Sequence, residues 1–205
     1  MIGNPPYVDI KELGQNDVNF FFGNYKTAAN RINLYSIFIE RVYSLLRDKA
    51  SLSFIIPNSI LMNSSYLELR KLIVEDIDEI IKLPDNVFEE AIVETIIFSL
   101  IKNNNGNDCN IIKYGAKEKL LSIEVEKKIK LNKESWKSFD DLKFNVYGDE
   151  NNFKILNRLS KYEKLFDFAD FTLGITPYDK YKGHSQDLIK NRSFHSKIKE
   201  TNQYK

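Results

Sequence analysis

Apolar positions recur at helical spacing from Asn33 onward. Leu34, Ile37, Phe38, Val42, Leu45 and Leu46 mark one face, and Glu40, Arg41, Arg47 and Asp48 the other, so a helix capped by Asn33 is predicted to about Asp48. The period then changes. Leu52–Ile56 is a short apolar run stopped by Pro57-Asn58, as a buried parallel strand would be, wet on neither face. A second helix, capped by Ser64 or Ser65, carries Leu67, Leu69, Leu72 and Ile73. Ile77–Leu83 reads as a strand closed by Pro84-Asp85-Asn86, Ile92–Lys102 as another closed by the Asn103–Asn107 cluster, and Ile111–Tyr114 as a fourth. This alternation, ending in two adjacent strands, predicts an α/β layer with an antiparallel edge.

Outside that block the pattern is weaker. Asp9–Asn30, with Phe20, Phe21 and Phe22, reads as a loop holding at most one short helix, and a loop of that length is usually functional. Lys117–Glu150 is dense in charge and reads as a helix or two connecting domains. Phe153, Leu156 and Leu159 suggest a short helix to about Tyr162. From Leu165 the texture turns to Phe166, Phe168, Phe171, Gly174, Tyr178 and Tyr181, as at the opening of a β-rich segment.

Composition narrows the class. The 205 residues are 42% hydrophobic and 29% charged, as expected of a globular chain. Thirty basic against 29 acidic side chains give a formal charge of +1, so any nucleic-acid contact must come from local residues. The single cysteine, Cys109, fits a reducing cytoplasm, and with His184 and His195 it makes too small a set for a zinc site, so no metal is expected. No apolar run approaches the roughly 20 residues of a membrane span.

The chemistry concentrates at the start, Ile2-Gly3-Asn4-Pro5-Pro6-Tyr7. Paired prolines hold a backbone extended and stiff. Asn-Pro-Pro-Tyr resembles the catalytic motif of the adenine-N6 DNA methyltransferases. Ile2-Gly3 resembles the end of that family's fourth strand, Asn33–Arg41 the helix after the catalytic loop, Phe54–Ser59 the next strand and turn, and Leu83-Pro84, Val87-Phe88 and Val93–Ile97 the last strands. The order is similar to that of the large, type IIG-like methylases of restriction–modification systems, well over Met1–Lys102 and more weakly over Leu165–Lys205.

The resemblance implies the C-terminal half of a Rossmann-like, S-adenosylmethionine-dependent sheet, followed by the start of a target-recognition domain. The corresponding division is 1–115 for the partial catalytic domain, 116–164 for a helical, charged connection and 165–205 for a truncated recognition domain. It also implies roles. An adenine N6 amine is a poor nucleophile because its lone pair is delocalised into the ring. Two acceptors on its N–H groups, the Asn4 side-chain oxygen and the Pro5 carbonyl, favour the pyramidal form in which the lone pair is available, and Pro6 stiffens the loop. Tyr7 offers a face for a base extruded from duplex DNA. Phe88 stands where the family places an aromatic near that base, and it reads equally as a core residue. Asn58 ends a sheet strand, where α/β sites gather, although a residue in such a turn more often caps its own backbone. Lys180, Lys182, Lys190 and Arg192, with Tyr178 and Tyr181 nearby, suit a DNA contact as well as plain exposure.

The family's cofactor cradle begins with a glycine loop upstream of the motif. Three residues precede Asn4, and none of the eight glycines forms Gly-x-Gly. The expectation is therefore a fragment of a bacterial, cytoplasmic enzyme, inactive alone, that associates with itself or with a missing N-terminal half through an exposed sheet edge. Two rivals remain. One keeps the fold and acts on RNA or protein glutamine; the other is a non-catalytic DNA-binding remnant.

Overall fold

The computed structural model describes residues 1–29, 33–84, 94–115, 124–148, 150–170 and 185–191. Six strands form one open sheet: β1 (Ile2–Gly3), β2 (Ser51–Pro57), β3 (Ile77–Lys82), β4 (Thr95–Ile101), β5 (Asp108–Gly115) and β6 (Glu124–Asn132). Their spatial order is β1-β2-β4-β3-β5-β6. β1 runs parallel to β2, and β3 parallel to β5, while β4 is antiparallel to both its neighbours and β6 antiparallel to β5.

The mixed α/β sheet expected from the sequence is present, with two differences. The antiparallel edge is present, but β6 forms it, and the antiparallel strand β4 lies inside the sheet. It inserts between β2 and β3, pairing Leu52 with Leu100 on one side and Ile80 with Phe98 on the other. Its Thr-Ile-Ile-Phe-Ser-Leu-Ile sequence suits a strand flanked on both sides. β2 is not dry on both faces either. Leu52, Phe54 and Ile56 are buried, and the alternate positions Ser53 and Ile55 only partly so.

The helices are α1 (Gln15–Asn24), α2 (Leu34–Leu45), α3 (Ser59–Met62), α4 (Leu67–Ile73), α5 (Glu134–Lys137), α6 (Glu150–Leu159) and α7 (Gln186–Lys190). α2 starts as read: the Asn33 side chain accepts from the Tyr35 amide at 3.5 Å. At the next helical turn the cap is Asn63, accepting from the Ser65 amide, rather than Ser64 or Ser65. The segment read as a loop holds the ten-residue α1, whose Val18 and Phe21 pack with Tyr25 on a small cluster of Ile10, Ala28 and Ile37. The main core joins the buried faces of β2–β5 to Tyr35, Ile39, Leu69 and Ile73.

The charged stretch after Gly115 supplies a strand where helix was expected. β6 pairs with β5 from Asp108↔Asn132 to Gly115↔Glu124. Trp136, stacked on Phe144 at 4.6 Å, joins the same core with Val146 and Phe153. Two compact units are present, Met1–Leu159 and Ser160–Lys205. The described part of the second holds a 3-10 turn at Leu165–Asp167 and α7. The rest of the segment read as β-rich lies outside the described residues. No helix among the described residues is long and apolar enough to cross a membrane.

Candidate active site

Asn4 follows β1 directly, at the carboxyl end of a strand whose register with β2 sets Gly3 opposite Phe54. Glycine leaves room there: a Cβ on Gly3 would stand 3.0 Å from the Phe54 ring, which would have to shift. Pro5 is buried and Asn4 and Pro6 are exposed. The tetrapeptide is thus anchored through one proline while the Asn4 amide faces solvent.

Tyr7 fixes the far end of this elbow. Its hydroxyl donates to the Ile55 carbonyl at 2.9 Å, and its ring meets Tyr35 edge-on, with centroids 6.3 Å apart. Tyr35 in turn stacks at a tilt on Tyr66 and shares a 3.0 Å hydrogen bond with the Ser59 hydroxyl. Burial raises the Tyr7 pKa, and raises that of Tyr35 much further with added repulsion from Tyr66, so both phenols stay neutral. Two elements that are remote in sequence, the loop after β1 and the turn after β2, are braced against each other through this aromatic chain.

Asn58 stands at the N-cap of α3, but its side chain makes no capping bond there. Its side-chain amide donates to the Glu94 carboxylate at 2.6 Å, and its backbone N–H donates to the Glu94 carbonyl at 2.9 Å. Asn58 instead stitches the end of β2 to the start of β4. It also lines a cavity of about 460 Å³ with Ser59, Leu61, Met62, Asn63, Ser64 and Tyr147. Glu94 lies 3.4 Å from the Lys82 ammonium.

Tyr147, in the stretch read as a connection, is the site-proximal residue that the sequence reading missed. The available signal was its alternation with apolar neighbours in Phe144-Asn145-Val146-Tyr147. Phe144 and Val146 are buried, Tyr147 is exposed, and Asn145 accepts from the Tyr147 and Gly148 amides. The same stretch is tied to α3, since the Phe144 amide donates to the Leu61 carbonyl at 2.9 Å. Arg70, fully buried, donates to the carbonyls of Ile60, Asn63 and Asp141 and so clamps the cavity floor from below.

Of the other candidates, Phe88, Lys180, Lys182 and Arg192 lie outside the described residues, as do His184 and His195. Lys190 ends α7 and is exposed. Cys109 is a buried residue of β5 and its thiol is pushed up to about 12 by desolvation, which makes it a core residue. Among the described residues no three His, Cys, Asp or Glu side chains form a group able to hold a metal ion.

Residues 1–88 match the model of the Eco57I restriction-modification methylase family, within the stretch that carries the motif likeness. The chain is similar in sequence to type II restriction–modification enzymes. The type II restriction enzyme and methyltransferase RM.Eco57I of Escherichia coli is 26% identical over 113 residues, which is 52% of this chain and 11% of that protein. The type II methyltransferase M.HincII of Haemophilus influenzae is 29% identical over 132 residues, 62% of this chain and 26% of that one. The chain therefore matches about a tenth to a quarter of the length of these relatives. In fold, the type IIG restriction endonuclease BpuSI superposes with a TM-score of 0.54 at 16% identity, over 70% of this chain and 20% of that one. A modification subunit from Vibrio vulnificus YJ016 gives 0.55 at 12% identity, over 76% and 39%. In fold, the sheet is similar to those of these restriction–modification proteins.

Proposed function

We propose that this chain supplies the amine-binding loop of a site-specific DNA adenine-N6 methyltransferase from a bacterial restriction–modification system. One observation carries the reading. The Asn4-Pro5-Pro6-Tyr7 elbow projects from the carboxyl end of a sheet strand with Asn4 exposed, Pro5 buried and Tyr7 hydrogen-bonded to Ile55. Carboxyl ends of strands are where ligands bind in open α/β sheets.

In that reading the Asn4 side-chain oxygen and the Pro5 carbonyl accept from the two N–H groups of a flipped adenine. The Pro5 carbonyl is fixed by a buried backbone and Asn4 stands beside it, so positioning and placed dipoles do the work. The neutral Tyr7 ring is the stacking face, with Phe88 as a second one. Asn58, bound to Glu94, shapes the neighbouring cavity and makes no bond to the reacting amine. Lys180, Lys182, Lys190 and Arg192 supply DNA-backbone contacts.

S-adenosylmethionine supplies the methyl group when bound. The residues of this chain do not make its glycine cradle, because none of its eight glycines stands in Gly-x-Gly. What this chain contributes is the grip on the acceptor. Isothermal calorimetry of the 205-residue chain is expected to show no micromolar cofactor binding; a micromolar isotherm would overturn that view of the cofactor site.

The decisive experiment is Asn4→Ala in a protein carrying the whole methyltransferase sequence. Transfer of a tritiated methyl group to duplex DNA is expected to fall at least about a hundredfold, an order typical of losing one placed polar group, with DNA affinity unchanged. Unaltered transfer would remove Asn4 from the mechanism. RNA and glutamine-peptide substrates in the same assay separate the rival acceptors.

A further inference from the structure

The register of the sheet places three lysines side by side. Lys82 of β3 pairs with Lys113 of β5, and Lys113 pairs with Lys127 of β6. Directly paired residues project from the same face of a sheet. Two residues earlier on that face of β3 and β5, and two later on the reversed β6, stands the rung Ile80–Ile111–Ile129. Ile80 and Ile111 are fully buried in the core. A core-facing apolar rung is therefore followed, toward the carboxyl ends of β3 and β5, by a rung of three ammonium groups.

Like charges on neighbouring strands destabilise a sheet, and at Lys82 the Glu94 carboxylate 3.4 Å away offsets part of that. The structure organises this row. The Lys82 and Lys113 ammonium groups lie 5.1 and 4.6 Å from the centroid of the Tyr147 ring. A hydrogen bond with Tyr147, together with Glu94, holds the Lys82 pKa above its ordinary value. The Tyr147 ring is itself placed by buried Val146 and by the Asn145 turn, and it is 48% exposed. A cation over an exposed ring gains about 0.5–1 kcal/mol. Beyond Tyr147 opens the cavity of about 460 Å³ with its Asn58, Asn63, Ser59 and Ser64 lining. The rung thus stands at the same end of the sheet as the Asn4 elbow and the Asn58 turn.

We propose that Lys82 and Lys113, braced by Tyr147, and Lys127 beside them form a backbone-phosphate site for the DNA strand that delivers the target base. The proposal rests on the DNA-methyltransferase reading above. Three strands at about 4.8 Å spacing make a rung roughly 10 Å across, which suits two or three phosphates that advance about 3.4 Å each along one strand. The cavity beside Tyr147 takes the nucleoside next to the held phosphates. Its size is that of ordinary ligand pockets, roughly 300–1,000 Å³, and its lining mixes polar Asn58, Ser59, Asn63 and Ser64 with apolar Leu61 and Met62.

The test is fluorescence anisotropy of the 205-residue chain with a labelled duplex oligonucleotide across a salt series. Lys82→Gln, Lys113→Gln and Lys127→Gln are each expected to weaken binding about three- to tenfold at 0.1 M salt. Each should also flatten the slope of log K against log salt by about 0.9, as when one phosphate is no longer neutralised by the protein. Tyr147→Leu should weaken binding, and Tyr147→Phe, which keeps the ring under both ammonium groups, should restore most of it. Lys71→Gln, at an exposed position paired with Glu68 at 2.8 Å, is the control and should leave the slope alone. Circular dichroism and melting confirm that each variant is folded.

Unchanged slopes in the three rung variants would overturn the site while leaving the Asn4 reading intact. So would a Lys71 effect of equal size, or a wild-type chain that binds no DNA at low salt. Reduced slopes together with full methyl transfer by Asn4→Ala in the whole enzyme would do the reverse.

Discussion

Arg70 shows how far a single side chain can depart from its apparent role. In the sequence it sits with Glu68 and Lys71 among the polar residues of an amphipathic helix. In the fold it is fully buried, and its guanidinium donates to three backbone carbonyls from two different loops. Desolvation lowers its pKa, and nearby Asp141 partly offsets that. Arg70→Met keeps the volume but leaves the carbonyls of Ile60, Asn63 and Asp141 without their donor, at a cost expected to be about 2–4 kcal/mol in urea denaturation. A loss below about 1 kcal/mol would show that water replaces the guanidinium. Asn58 teaches the same lesson on a smaller scale. Local rules favoured a self-capping turn, and a carboxylate 36 residues away captured its amide. At the Asn4 elbow, by contrast, the local rules held, because prolines act on the backbone without needing a distant partner.

At the scale of elements, α2 and β2–β5 were readable because their apolar periods are strong. β6 was not. Glu-Val-Glu-Lys-Lys-Ile-Lys-Leu-Asn looks like a solvated charged run, yet Ile129 and Leu131 alternate with Lys128 and Lys130, and that alternation is the signal of a strand with one wet face. As the outermost strand on its side of the sheet, β6 is also where lysines discourage unwanted pairing. Leu131 is buried, whereas Lys130 is exposed and pairs with Asp108 across the strands. Leu131→Ala is therefore expected to cost about 2–3 kcal/mol, and Lys128→Thr less than about 0.5. Equal effects in chemical denaturation would mean that β6 is not packed as described. α1 was underread for a different reason. Its period is weak, and what holds it is a satellite cluster with Ile10 and Ile37, which no local window contains.

For the whole molecule, the sheet has a short and poorly covered margin. β1 pairs with β2 over two residues, and Met1 and Ile2 are 62% and 89% exposed. An edge with free backbone groups and apolar side chains recruits another strand. The 205-residue chain is accordingly expected to sediment as a concentration-dependent oligomer at tens of micromolar, or to be held monomeric by a complementary polypeptide that covers β1. A single monomeric species with a cooperative melt would count against this. The sequence by itself determined the elbow, the period of the central elements and the likeness to methyltransferases, since each depends on contiguous residues whose φ angles, alternation or spacing are local properties. Tertiary structure alone decided that β4 enters between β2 and β3, that Asn58 reaches Glu94, and that three lysines from three strands share one rung. Strand order and register bring together residues tens of positions apart, and only the competition for burial across the whole sheet selects which ones meet.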